Sequence, residues 1–234
     1  MATTLKSTLT ILALLGAMLP AVHAATIYTV TAANGATAEA DFTFGANSLT
    51  LVLKNTTVNP PDFGFDLSAF QFVLAGATGA MLTNASSPNA RTVNSDTTYT
   101  DSGPVTGVAN VGWIFSNSLN TYVLDVYGTG GAGPKDTLIG SPAADNKYDA
   151  ANPSLTNGVH SPYLALMATF TFTFTGGVDS STIPSAASFD FNTGSFVAGA
   201  CQSGCGGLVP EPASVVLGGS GLLALALLLR RSRA

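Results

Sequence analysis

In the stretch LALMATFTFTFTGG, residues 164–177, apolar and hydroxyl side chains alternate strictly from Ala168 to Thr175. Read as a strand, it puts Leu166, Ala168, Phe170, Phe172 and Phe174 on one face and Thr169, Thr171, Thr173 and Thr175 on the other. A helix would scatter the same residues around its circumference, so the period of two selects a half-buried strand. Such a strand buries its phenylalanines only against a second layer.

Other stretches share the period. In TAEADFTF, Ala38, Ala40, Phe42 and Phe44 face one way and Glu39, Asp41 and Thr43 the other; SLTLVLKN repeats the pattern with Leu49, Leu51 and Leu53. Gly45 and Asn47 between them supply turn chemistry, which predicts a hairpin. In DFGFDLSAFQFVL the apolar parity changes from Phe63, Phe65 and Leu67 to Phe70, Phe72 and Leu74, which predicts a bulge or break at Ser68–Ala69. Ile27–Thr31, Gly112–Phe115, Tyr122–Tyr127 and Ser188–Asn192 are further strand candidates.

About eight strands, glycine-rich turns and no helical period in the body predict an all-β, two-layer antiparallel β-sandwich, jelly-roll or Ig-like. The intervals Gly76–Asn110 and Gly128–Pro162 are long for loops; segments of that length are functional, disordered or hold further short strands. Only 9% of the 234 residues are charged and 46% are hydrophobic, the balance of an exported β-rich chain. Between Ala25 and Val209, twelve acidic residues oppose Lys54, Arg91, Lys135 and Lys147, a net of minus eight. This acidic body repels phosphate backbones and excludes nucleic acid as a partner.

The two ends read as addresses. Residues 1–24 form a signal peptide: Lys6, an apolar stretch to Leu19, then small residues at Val22 and Ala24, with cleavage between Ala24 and Ala25. The body spans residues 25–207 and a terminal segment residues 208–234. In that segment the uncharged run 213–229 would span about 26 Å as a transmembrane helix. The basic tail 230–234, with Arg230, Arg231 and Arg233, stops it on the cytoplasmic side and leaves the body outside. Gly218, Gly219 and Gly221 weaken the helix, which favours transient insertion over permanent anchoring.

Val209-Pro210-Glu211-Pro212, the apolar run and Arg-Arg-Ser-Arg together resemble the PEP-CTERM sorting segment of Gram-negative exported proteins. The resemblance covers the last 26 residues. It implies export through the secretion translocon, transient residence in the inner membrane, and removal of the tail by an exosortase during transfer to the cell surface. It also implies a setting of extracellular polysaccharide and biofilm. Pro210 and Pro212 hold the motif extended, a form suited to an enzyme cleft. The body, with SLTLVLKNTT, a lone Trp113, YDAANPSL and HSPYLALMATFTF, is similar to bodies found beside this signal, a likeness that names no activity.

Catalytic chemistry is sparse. His160 is the one histidine after signal removal, and NGVHSPY offers no nucleophile elbow. Cys201 and Cys205, in CQSGC, fit a small disulfide loop better than a zinc site, which would want four ligands. Glu39 and Asp41 stand about 7 Å apart on one strand face and read as solvent-facing charges that discourage edge pairing. GTGGAGPKD lacks the residues of a phosphate loop. The sequons at Asn55 and Asn84 matter only beside glycosylation machinery.

No catalytic residue, cofactor site or metal site is assigned. Asp145, Asn146 and Asp149 are the weak calcium candidates, without EF-hand spacing. The expectation is a non-enzymatic surface or matrix protein associated with exopolysaccharide. The alternative is a surface carbohydrate-binding module, calcium-dependent through those three residues, with Trp113, Tyr122, Tyr127 or Tyr148 as stacking platforms.

Overall fold

A computed structural model describes residues 25–127, 135–149, 151–192 and 195–205. The chain divides into two compact units, Met1–Gly204 and Cys205–Ala234, and of the second only Cys205 is among the described residues.

In chain order the strands are β1 (Thr26–Thr31), β2 (Thr37–Gly45), β3 (Ser48–Asn55), β4 (Leu67–Val73), β5 (Met81–Ser87), β6 (Ala90–Val93), β7 (Tyr99–Asp101) and β8 (Val105–Thr106). There follow β9 (Ile114–Ser118), β10 (Thr121–Asp125), β11 (Leu138–Ile139), β12 (Tyr163–Ala165), β13 (Met167–Thr173), β14 (Ala186–Phe191), β15 (Val197–Ala198) and β16 (Ala200–Ser203). A 3-10 turn at Phe63–Phe65 and a one-turn helix α1 (Val108–Val111) are the helical pieces among the described residues. The first sheet runs β16-β1-β2-β3-β13-β5-β8; the second runs β15-β14-β4-β11-β12-β6-β7, with β10 and β9 branching from β4.

The fold is all-β and sandwich-like. From the first sheet Ala38, Ala40, Phe42, Leu49, Leu51, Leu53, Phe170 and Phe172 turn inward and are essentially fully buried, as period two requires. From the second come Phe70, Phe72, Tyr122, Leu124 and Phe189. The rings meet across the sheets: Phe42 lies 6.0 Å from Phe70 and 5.5 Å from Phe72, and Phe72 lies 6.0 Å from Phe172, mostly edge-on or tilted. These are the geometries aromatic quadrupoles favour.

The β2–β3 hairpin closes through a two-residue turn, with Gly45 paired to Ser48 and Asn47 at φ 52°. The parity change in β4 is a bulge: Asp190 pairs with Ala69 and Phe191 with Leu67, so Ser68 has no opposite number. Leu67 and Phe70 thereby both reach the core. The bulge is also where β4 changes neighbour, from β10 along Ala69–Val73 to β11 at Leu67. The hydroxyl of Ser68 sits between the carbonyls of Asp190 and Asn192 and accepts a bond of 2.7 Å from the Tyr127 hydroxyl.

Several expectations are corrected. The sheets are not wholly antiparallel, because β11 and β12 pair in parallel. Leu166 does not continue the inward row of β13; it is 39% exposed at φ 67°. Its backbone donates to Ile139 of the second sheet and accepts from Asn55 of the first, so the chain steps between layers at this residue. Gly112 and Trp113 precede β9 rather than opening it, since Gly112, at φ 75°, is the left-handed cap that ends α1. The long intervals hold β5 to β8, α1, β11 and the approach to β12, strands too short and irregular to display a period. The expected signal peptide, residues 1–24, and the expected transmembrane helix, residues 213–229, lie outside the described residues, among which no helix is long and apolar enough to cross a membrane.

A smaller core forms on the opposite side of the second sheet. Adjacent residues there face opposite ways: Leu138 and Leu164 belong to the main core, whereas Ile139 and Tyr163 join Phe63, Val93, Tyr148 and Leu155 in the small one.

Candidate functional site

Polar chemistry concentrates in the small core. Arg91, on β6 and only 5% exposed, donates from Nε and Nη2 to the two carboxylate oxygens of Asp101 on β7 at 2.7 and 2.8 Å. Its third bond, 3.1 Å long, goes to the Tyr148 hydroxyl, which donates in turn to the Gly140 carbonyl at 2.9 Å. The guanidinium carbon stands 3.9 Å from the centre of the Tyr99 ring. Burial works against the arginine's charge, but the bonds to Asp101 and Tyr148 outweigh it and hold the group protonated. The same burial raises the Tyr148 phenol to about 12, with Arg91 pulling the other way.

Beside this network Asp66 is wholly buried, and neither carboxylate oxygen has a hydrogen-bond partner. Burial, then the negative charge of Asp62, lifts its titration well above the usual carboxylate range. Burial raises Tyr163 as well, with a smaller contribution from Asp66. These groups can hold a proton and restrain the connection that carries Tyr148 and Tyr163. With Asp66, Tyr148 and Tyr163 all at 0% exposure, the acid meets no external substrate. Sequence reasoning passed over Arg91 and Asp66; Asp66 looks like one more strand-flanking acid until the tyrosines fold over it.

His160 stacks on Phe63, ring centres 4.0 Å apart. Asp145, Asn146 and Asp149 lie in an exposed turn: the Asp145 carboxylate accepts from the Lys147 amide at 3.1 Å and Asn146 holds φ 63°. Among the described residues no group of three or more His, Cys, Asp or Glu could hold a metal ion. Glu39 is paired with Lys54 across the β2–β3 ladder, and Asp41 faces Val52.

The aromatic platforms are overturned. Trp113, Tyr122 and Tyr148 are at most 1% exposed and belong to the two cores, with Trp113 5.4 Å from Phe170 and Tyr122 5.2 Å from Phe72. Only Tyr127 keeps an exposed surface. Asn55 is likewise interior: its amide donates to the carbonyls of Phe65 and Leu138, which leaves no room for a glycan.

Cys201, on β16, and Cys205 are both disulfide-bonded. Ala25 opens the described chain, its carbonyl accepting from the Ser203 hydroxyl at 3.3 Å. Ala24, the motif Val209–Pro210–Glu211–Pro212 and Arg230, Arg231 and Arg233 lie outside the described residues.

An apolar groove of about 550 Å³ lies where β9 of the second sheet faces α1 and β5 of the first sheet. Leu82, Val108 and Trp113 line it, and Met81 and Ile114 stand at its mouth, 64% and 45% exposed. Such a groove accepts an apolar side chain; Asn117 is the polar side chain on its lining. The fold and these surfaces define an all-β, sandwich-like protein with a largely buried polar cluster and an apolar groove. The chain matches no family model, no curated protein and no solved structure.

Proposed function

We propose that the chain is an exported, non-enzymatic cell-surface or extracellular-matrix protein, sorted by an exosortase and associated with exopolysaccharide in a biofilm. The observation that carries this reading is the order Val209-Pro210-Glu211-Pro212, uncharged run, arginine cluster, on a chain that opens with a signal peptide. In this reading the signal peptide enters the translocon, the segment 213–229 lodges transiently in the inner membrane, and the arginines keep the C-terminus cytoplasmic. Cutting near Glu211 then frees the body into the periplasm and on to the surface. The body serves as a structural or adhesive module of the jelly-roll kind. Pairing of early with late strands, β1 with β16, β3 with β13 and β4 with β14, supports that topology.

The outward face of the first sheet supports an extracellular role. It presents Thr43, Thr50, Thr171 and Asn84 side by side on β2, β3, β13 and β5, a hydroxyl-rich surface of low charge. The carbohydrate-binding alternative loses Trp113, Tyr122 and Tyr148 to the cores and keeps Tyr127 alone as a platform, and no further observation favours it. The test is fractionation of cells carrying Pro210→Ala with Glu211→Ala: the expected result is retention in the inner-membrane fraction. Unchanged delivery to the surface overturns the reading.

A further inference from the structure

The free edge strand β9, the apolar groove beside it and the turn that follows it form a self-complementary surface. Edge strands are normally guarded by charge, proline, a bulge or brevity. β9, with the sequence IFSNS, has five residues and none of these devices, and its ladder with β10 is regular. Among the described residues its one neighbour in the sheet is β10. Ser118 and Thr121 close the hairpin, and hydrogen-bonded pairs alternate from there. Ser118, Ser116 and Ile114 therefore spend their backbone groups on β10, while Phe115 and Asn117 present theirs to the open edge.

The turn carries the second observation. Leu119 is 93% exposed, the most exposed large apolar side chain among the described residues, and it stands at φ 53°. A branched apolar residue in the left-handed region of a tight turn is strained, and glycine or asparagine would serve the turn better. Neither solvation nor backbone geometry explains a leucine here; a partner contact does.

We infer that two copies of the chain pair antiparallel through β9, with the twofold axis at Ser116. In that register Phe115 of one copy and Asn117 of the other exchange their free backbone bonds, Ile114 faces Ser118, and Trp113 faces Leu119. The knob and the groove occupy opposite ends of one strand, so a twofold arrangement sets each Leu119 at the mouth of the other copy's groove, beside Trp113 and Ile114. This mutual fit selects a second copy of the chain as occupant, since an isologous contact needs both halves on one surface. The uncharged strand lets two acidic bodies meet there despite their like net charge.

The test is sedimentation velocity of the full chain in a mild detergent, over a hundredfold range of concentration. The expected result is a reversible dimer, at least tenfold weakened by Leu119→Asn, while the denaturation midpoint of the variant is not lowered because asparagine suits the turn. Paired Ser116 residues put their Cα atoms about 4.5 Å apart, within disulfide range. Ser116→Cys should therefore cross-link to itself on mild oxidation, and Asn117→Cys should not. A parent chain that stays monomeric throughout overturns the proposal. So does a dimer indifferent to Leu119→Asn, the behaviour of association through the apolar tail, or a Ser116→Cys chain that fails to cross-link. Should Leu119→Asn fail to fold, the cysteine pair decides alone.

Discussion

Replacing Asp66 by asparagine removes a titration while leaving the shape of the small core almost unchanged. In the folded chain the carboxyl is fully buried without a hydrogen-bond partner, and burial holds its proton well above the ordinary range. In the unfolded chain it ionises near pH 4. Between those two pH values the unfolded state has lost a proton that the folded state keeps, so stability falls as pH rises, by about 1.4 kcal/mol per pH unit. Below the window Asp66 contributes no slope, and above it the loss is complete and constant. The asparagine chain lacks this slope, so the stability of the variant minus that of the parent should climb from pH 4 upward by that amount per unit and then level off. Urea unfolding at pH 4, 5, 6 and 7 measures it, with fluorescence of the single buried Trp113 as the probe. Taking the difference cancels groups common to both chains, including Asp136, whose carboxyl burial pushes up to about 6 and whose slope has the same sign. A difference that stays flat across these four pH values would refute the assignment of a sealed, unpartnered acid.

Two further perturbations probe the cores. Arg91→Ala leaves the exposed Asp101 carboxylate to water but removes a donor from the buried Tyr148 hydroxyl, and should cost about 1–3 kcal/mol in urea titration. Arg91→Lys, lacking the planar fork, should recover only a minor part of it. Phe72→Ala removes a ring packed against Phe42, Tyr122 and Phe172 at the centre of the main core, and should cost about 3–5 kcal/mol, with a blue-green dye such as ANS reporting any loosened core.

Where a strand runs long and half-buried, its period was plain in the sequence. Phe42, Leu51 and Phe170 declared their face because one side of β2, β3 and β13 meets the other sheet and the opposite side meets water. The bulge at Ser68 was equally legible, because a strand cannot shift parity without a surplus residue. Leu166 was misread for the complementary reason: a local pattern cannot say where a chain leaves one layer for the next. The short strands between Gly76 and Asn110 left no periodic trace, since two to seven residues paired with distant partners gain their stability from those partners.

Site chemistry divides along the same line. The proposed routing segments, residues 1–24, Val209–Pro212 and the arginines, are linear patterns, so the proposal for them rests on residue order alone. Residues acting through surroundings were opaque. Trp113, Tyr122 and Tyr148 looked like surface platforms because composition carries no burial, and Asp66 and Arg91 looked ordinary until strands remote in sequence closed around them. Residue order thus determined the layered all-β character through local periodicity, and it alone carries the addresses proposed at both ends, through linear motifs. Only the tertiary structure decided which aromatics are core, which acid is sealed, and that β9 ends as an unguarded edge beside an apolar groove, because burial and pairing are properties of contacts that the chain makes with itself at long range.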